Sequence, residues 1–303
     1  MRITNSTMTT TFIRNLNRNL NQMQKYHNQL TSGKLVSKPS DNPMLVSKIM
    51  SLSNNVMQNE QYGTNIKDTI GWVDTQDTAL NNVSGTLNRI RDLIVYSANG
   101  PLSDTDRAAI KDEMIMKVGE LGDALNSNFD GRYIFGGQKT NTRPYELVKV
   151  TEDGKTYEVL TYKGDDNNIS REISPGVSID MITNGERVTG EADKMGKLLK
   201  DIIVAMESGD TEELSGNLLK DIDVEIDNVI RVRSNIGAIQ NRLDASLSRN
   251  ETESLNIKKL LSEKEDIDVA EKYMEFSVMS SVYKASLSVG AQILQPSLLD
   301  YLR

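Results

Sequence analysis

Residues near the start of the chain recur at the spacing of one helix face. Six positions follow one another at intervals of 3, 4, 3, 4 and 3 residues: Ile13, Leu16, Leu20, Met23, His27 and Leu30. This is the a/d repeat of a coiled coil, so the pattern predicts a helix with a narrow seam for a partner. The remaining faces are rich in Asn and Gln. Asn is a middling helix former, so the helix needs that partner to become ordered.

A second apolar stripe lies near the end of the chain. It comprises Ile267, Ala270, Met274, Val278, Val282, Ala285, Val289 and Ile293, with Leu287 widening the apolar face and Leu298 and Leu299 in a tail beyond Pro296. Its spacing predicts a long helix. The two terminal helices have matching seams, so we expect them to pair antiparallel.

Between these ends the hydrophobic period changes twice. The segment 38–43 contains two prolines and predicts a break, with Asn42 capping a helix that begins at Pro43 and Ser103 or Asp104 capping a later one. Residues 143–182 alternate as strands, and helical spacing returns after about residue 193. The stretch 221–227 alternates like a strand, but its neighbours keep the helical period, which favours helix.

The predicted fold class is therefore mainly α, with a small β-rich insert and a long antiparallel helical bundle or coiled coil formed by the two terminal arms. The domain prediction has three parts. Residues 1–42 and 256–303 form a terminal helical assembly domain, residues 43–140 and 186–255 form a helical rod, and residues 141–185 form the β-rich insert.

Composition narrows the functional classes. The chain has one Trp and four Phe in 303 residues, which fits long helices packed along narrow seams better than a compact enzyme core. A net charge of −8 argues against a general nucleic-acid binder. No apolar stretch approaches the roughly 20 residues of a membrane span, and no secretory signal peptide is expected.

Charge is unevenly distributed along the chain. Residues 1–40 contain six cations and no acid, and residues 251–275 contain eight acids against four lysines. The two regions could attract each other, or each could be a solvated helix face.

Candidate chemistry is sparse. The chain has no Cys and one His, so a nucleophilic triad would have to use His27, which sits in the predicted seam. The stretch 190–198 resembles a phosphate loop but has the wrong glycine spacing and Leu198 in place of a magnesium-binding hydroxyl. The acidic stretch 165–168 lacks calcium-loop spacing and is better explained as a solvated hairpin tip. We therefore expect no enzyme activity, no cofactor and no metal site.

Several blocks of sequence resemble the flagellin superfamily. The segment 29–43, with Gly33, Pro39, Asp41 and Pro43, resembles its N-terminal block. The C-terminal counterpart is carried by Asn235, Gly237, Gln240, Asn241, Arg242 and Leu243. The stretch 131–145, the first five residues and the ending 283–302 are similar to the hook-associated protein 3 branch of that superfamily. Asn42 departs from the pattern, because relatives often carry a second Asp there.

The resemblance implies a structural protein of the bacterial flagellum, exported unfolded by the flagellar type III apparatus with a secretion chaperone. It implies a ring of copies at the hook–filament junction, between hook-associated protein 1 and the flagellin filament. The terminal arms would become helical on assembly, and the two seams and the motif residues would form assembly contacts. The protein would be extracellular on the flagellum and cytoplasmic before export. Two alternatives remain open: a minor flagellin-type filament subunit, and a cytosolic coiled-coil adaptor that is never exported.

Overall fold

The computed structural model describes residues 5–99, 102–152, 155–190 and 193–293, and these divide into two compact units. The terminal unit combines Met1–Gln58 with Glu253–Arg303, and the central unit is Asn59–Thr252. Both boundaries fall inside long helices. The predicted class, mainly helical with a small strand insert, is confirmed.

The helices begin and end where local sequence signals place them. Helix α1 spans Asn5–Ser32 and α2 spans Pro43–Ala98. The Asn42 side chain accepts a hydrogen bond from the Leu45 N–H (3.2 Å), which confirms the predicted cap. Helix α3 spans Asp104–Leu125, and Ser103 and Asp106 form a reciprocal capping box at its start.

The strands form three separate antiparallel hairpins. Strands β1 (Asn128–Phe129) and β2 (Arg132–Tyr133) pair across a tight turn in which Asp130 and Gly131 have φ of 50° and 74°. The other hairpins pair β3 (Tyr145–Glu152) with β4 (Lys155–Tyr162) and β5 (Ile169–Ser174) with β6 (Val177–Met181). Strands β3 to β6 lie within residues 143–182, where the period-2 pattern predicts strands.

Five further helices lie in the described residues after β6. They are α4 (Glu186–Thr189), α5 (Lys194–Ser208), α6 (Thr211–Glu213), α7 (Leu219–Glu265) and α8 (Val269–Ile293). A single π-helical stretch, Leu214–Leu218, joins α6 to α7 without a break, and the sequence pattern does not predict it. The strand-like alternation at 221–227 lies within α7, so the prediction of helix there is confirmed.

One hydrophobic core fills the central unit. Residues of α2 predicted to share a face, including Ile66, Val73, Leu80, Leu87 and Ile94, are buried in it. The hairpins contribute to the same core, through Tyr145, Leu160, Ile179 and Met181 among others. Gly196 of α5 lies so close to the Leu160 carbonyl that a Cβ there would overlap it. The strands and the surrounding helices are therefore packed as one unit, and the three-part domain division stays a prediction.

Candidate assembly surface on the terminal helices

Helices α1 and α8 pair antiparallel within the terminal unit. The His27 ring lies 6.1 Å from the Phe276 ring, and the Lys272 ammonium lies 5.8 Å from the centre of the Tyr26 ring. At the other end of the pair, a Cβ on Gly290 would overlap the Phe12 ring, so the two helices approach closely there. The predicted antiparallel pairing of the arms is present.

The α1 face that packs inward differs in part from the predicted seam. Its half-buried positions include Phe12, Leu16, Asn19, Met23, Tyr26 and Leu30. Leu16, Met23 and Leu30 belong to both sets, whereas Ile13, Leu20 and His27 are exposed on the flank. Within the single chain, the inward face of α1 thus differs from the predicted seam at alternate positions, and the seam as an assembly interface stays a prediction. Phe12 and Tyr26, 14 residues apart, take inner positions beside Ile13 and His27, and that spacing was the signal in the sequence that could have indicated this face.

Most of the apolar stripe predicted for α8 lies on the side away from α1 and is exposed. The side toward α1 carries Lys272, Phe276, Met279 and Tyr283, which are half-buried, and Gly290, which is buried. The apolar residues Met274, Val278, Val282 and Val289, here called the outer stripe, are exposed, with Met274 at 62% and Val278 at 63%. Ala285 and Leu287 are also exposed, and Ile267 is half-buried. Ile293 ends α8, and Leu298 and Leu299 lie outside the described residues.

The terminal unit lacks a hydrophobic core of its own among the residues described. Every residue of the buried hydrophobic cluster lies between Ile66 and Leu243, inside the central unit. Among the described residues of the terminal unit, only Gln29 and Gly290 are buried. Isolated helix pairs with so little buried apolar area have little to offset the entropy of ordering them. The terminal helices are therefore a surface that needs further partners.

The segment after α1 closes onto the turn between α7 and α8. Gly33 adopts φ of 70° and ends α1 by donating its N–H to the Gln29 carbonyl (2.8 Å). The Leu35 N–H then donates to the Glu265 carbonyl (2.6 Å), and the Ile267 N–H donates to the Gly33 carbonyl (3.1 Å). The Lys34 ammonium pairs with Glu265 at 2.8 Å and with Asp266 at 3.5 Å. Of the two alternatives for the basic start and the acidic stretch, attraction is present at this point.

This closure is expected to weaken in acid. The hydrogen bond from the Ser262 hydroxyl, and to a smaller extent Lys34, lowers the pKa of Asp266 below 3.8. Asp266 therefore stabilises the closed form above pH 3.8, and its contribution is lost as pH falls through its lowered pKa. An exposed pair contributes about 0.2–1 kcal/mol, so protection of the Leu35 and Ile267 amides from hydrogen exchange should drop by at most about fivefold. Asp266→Asn, compared at each pH to correct for intrinsic exchange rates, should reduce the drop, because only the pair of Lys34 with Glu265 then remains; an unchanged drop would contradict this role.

At alkaline pH, the contribution of Lys34 to the stability of the closure depends on pH in the opposite direction. Its hydrogen bond to Glu265 raises the pKa of Lys34 above 10.5. That contribution is complete below pH 10.5 and is lost only as pH rises through the raised pKa. The closure is therefore at its strongest across the whole neutral range.

The other N-terminal motif residues form the entry to α2. The Asp41 N–H donates to the Lys38 carbonyl (3.0 Å), and the Asp41 carboxylate accepts from the Lys38 N–H (3.2 Å), which closes a tight turn. Pro39 is the second residue of this turn, and Pro43 is the first residue of α2. Their position explains the Pro and Asp in the motif as local turn chemistry.

The C-terminal motif residues on α7 divide into two groups. Leu243 is fully buried, and the Gln240 amide donates to Asp74 of α2 (2.6 Å). Asn235, Asn241 and Arg242 are exposed, and no hydrogen bond from their side chains is found among the described residues. Gly237 is half-buried, but a Cβ there would meet nothing within 4 Å. The first group serves internal packing, and the second leaves a polar surface without an internal role.

The described residues offer no metal or membrane chemistry. They contain no cluster of three or more His, Asp or Glu side chains that could hold a metal ion. None of the described helices is long and apolar enough to cross a membrane. His27 is exposed beside Phe276, on the face of α1 that flanks the helix pair.

Comparison with known proteins identifies the family. The bacterial flagellin N-terminal helical region matches residues 3–140, and the flagellin C-terminal helical region matches residues 219–302. Flagellar hook-associated protein 3 of Escherichia coli is 26% identical over 288 residues, covering 87% of this chain and 89% of that protein. A flagellin of Halalkalibacterium halodurans is 26% identical over 279 residues, covering 92% and 90%.

Solved structures share the fold. A flagellar hook-associated protein from Vibrio parahaemolyticus superimposes with a TM-score of 0.65 at 24% identity, covering 75% of this chain and all of that one. Hook-associated protein 3 from Legionella pneumophila gives 0.61 at 15% identity, covering 71% and 98%. With both flagellin regions matched in order at the two ends, the chain belongs to the flagellin superfamily of bacterial flagellar structural proteins.

Proposed function

We propose that this protein forms the junction layer between the flagellar hook and the filament, as a ring of copies whose terminal helices pack with neighbouring axial subunits. The observation that carries the proposal is the terminal unit without a core of its own. A helix pair that buries so little apolar surface needs neighbours, and a tubular assembly supplies them on several sides.

The outer stripe of α8 is the main candidate for that contact. Each Val or Met of the stripe would gain about 1.5–3 kcal/mol on full burial against another subunit. Ile13 and Leu20 on the flank of α1 add to the same kind of surface. We assign the predicted interface residues of both arms to these contacts between subunits, together with Asn235, Asn241 and Arg242 of the α7 motif.

Partners and location follow from the family. We assign hook-associated protein 1 as the neighbour on the hook side and flagellin as the neighbour on the filament side. The type III export apparatus and a secretion chaperone would handle the chain in the cytoplasm, before it reaches its extracellular place on the flagellum. A chain without Cys suits passage in an unfolded state, because it cannot cross-link. The arms, which are Asn-rich at one end and little buried at both, are the part we expect to become ordered on assembly.

A minor filament subunit is the second candidate. It is favoured by the Halalkalibacterium halodurans flagellin, which aligns over nearly the whole of both chains. The junction layer is preferred because hook-associated proteins 3 from two organisms match, that of Salmonella typhimurium at 33% identity over 126 residues. The Salmonella alignment covers only 41% of this chain and 40% of that protein, so it supports the choice over that part alone.

Electron microscopy of labelled flagella tests the choice. A short epitope inserted between β3 and β4, in a strain whose own gene is replaced, should be found only at the hook–filament boundary. Deletion of the gene should leave hooks without attached filaments and release flagellin into the medium. Label along the filament would favour the minor flagellin, and label confined to the cytosol of flagellated cells would favour the adaptor.

A further inference from the structure

A basic groove runs along the face of α1 that does not contact α8. Arg14, Arg18 and Lys25 follow one another at intervals of four and seven residues, so they share one helix face. Lys38 and Asp41, from the segment that leads to α2, line the same groove, which has a volume of about 660 Å³. Four cations therefore face a single carboxylate.

The charges of this groove are not neutralised within the described part of the chain. Arg14 donates only to the Thr11 hydroxyl (3.3 Å), and no ion pair from Arg18, Lys25 or Lys38 to the described acids is found. Gln29, which also lines the groove, donates its amide to the Leu35 carbonyl (2.6 Å), while its buried Oε1 has no partner. Arg14 and Lys25 are about 16 Å apart along the helix, so the charges form a line that suits an extended acidic surface better than a small anion.

An acidic surface of the same unit lies at the turn between α7 and α8. Glu263, Asp268 and Glu271, here called the acidic junction, are exposed. The Asp268 carboxylate caps α8 by accepting from the Ala270 and Glu271 N–H groups (2.9 and 3.1 Å). The neighbouring acids Glu265 and Asp266 already pair with Lys34, in the segment that follows α1. Within the described part of the chain, the basic start and the acidic stretch thus pair only through Lys34. The charges of the basic groove and of the acidic junction are left without ion-pair partners among the described residues.

We propose that the basic groove of one copy binds the acidic junction of a second copy of this chain. Two different and complementary surfaces on one subunit make a head-to-tail contact, which is the kind of contact that closes a ring. At physiological salt, exposed charges attract one another appreciably only within about 8 Å. The charge pairing therefore takes effect once the two surfaces touch, and it determines which surfaces meet. This inference rests on the proposed function, since it names the contact between copies within the junction ring.

Cysteine cross-linking on assembled flagella tests the contact, with no background because the chain has no Cys. Gln24→Cys places a thiol in the groove, and Lys264→Cys places one beside the acidic junction; both side chains are exposed. Flagella from cells that express both single-Cys variants should give a covalent dimer with a short bismaleimide. Flagella carrying either variant alone should give little or none.

Charge reversal tests the pairing itself. The groove variant combines Arg18→Glu with Lys25→Glu, and the junction variant combines Glu263→Lys with Glu271→Lys. Each variant alone opposes like charges at every contact, so its amount in isolated flagella should fall at least tenfold. Expressed together, the two variants complement each other, and at least half of the wild-type amount should return. Lys67→Glu with Lys220→Glu, exposed lysines of the central unit, is the matched control and should incorporate normally.

Three outcomes would overturn the inference. The first is normal incorporation of either charge variant alone. The second is loss of incorporation without recovery on co-expression, which would mean that the groove binds a different chain. The third is chain present in isolated flagella without the mixed Cys dimer. Absence of the wild-type chain from flagella would instead overturn the proposed function, so the two failures are distinguishable. Recovery on co-expression also demonstrates that both charge variants are folded.

Discussion

Val282→Asp is expected to leave the protein folded and soluble and to abolish its incorporation into flagella. Val282 belongs to the outer stripe and is 43% exposed, so a carboxylate there remains solvated in the single chain. In the proposed assembly the same position is covered by a neighbouring subunit, and an unpaired buried carboxylate costs several kcal/mol. The measurement is the amount of protein in isolated flagella by immunoblot, with circular dichroism of the purified chain to establish its fold.

A matched variant separates this effect from a general intolerance of charge. Val177→Asp introduces the same change at the start of β6 in the central unit, where Val177 is 41% exposed. It should incorporate at close to the wild-type level. Leu20→Asp on α1 should behave like Val282→Asp, because Leu20 is also exposed beside the helix pair. Normal incorporation of Val282→Asp would remove the outer stripe from the assembly surface.

Leu243→Ala is expected to lower the free energy of unfolding of the central unit by about 2–5 kcal/mol. Leu243 is a motif residue with no exposed surface, and it packs in the same core as Ile236 and Val229. Truncation leaves a cavity in a region where helices and hairpins are packed together. Urea unfolding followed by circular dichroism measures the change, with an unaltered m-value indicating an unchanged unfolding transition.

Asn241→Ala provides the contrast within the same motif. Asn241 is exposed, so its loss should change the unfolding free energy by no more than about 0.5 kcal/mol. If its role is a contact between subunits, as proposed above, incorporation into flagella should fall while stability is kept.

A loss of less than about 1 kcal/mol in the unfolding free energy of Leu243→Ala would show that the motif leucine does not contribute to the core as its burial indicates.

The sequence pattern predicts where helices begin and end better than it predicts which face of a helix is buried. The start of α2 at Pro43, the cap at Asn42 and the break at Gly33 are local effects, because each depends on backbone preferences within a few residues. The buried residues of α2 and α7 also follow the helical period, because one apolar stripe dominates each helix. In α1 and α8 several apolar stripes compete, and the helical period alone does not say which of them meets the partner helix.

The sequence by itself therefore determined the order of the long helices and of the four longer strands, the antiparallel matching of the two ends and the family to which they belong. Only the tertiary structure decided that Phe12 and Tyr26 take the inner positions of α1 and that the outer stripe of α8 is left exposed. It also decided that the hairpins pack in the core of the central unit and that the segment around Lys34 contacts the turn between α7 and α8. The physical reason is that helix limits follow from local backbone energetics, whereas the choice between apolar faces depends on the size and shape of residues more than 200 positions apart. For the two amphipathic ends, that choice left a helix pair with little buried surface, which supports the proposal that neighbouring subunits complete them.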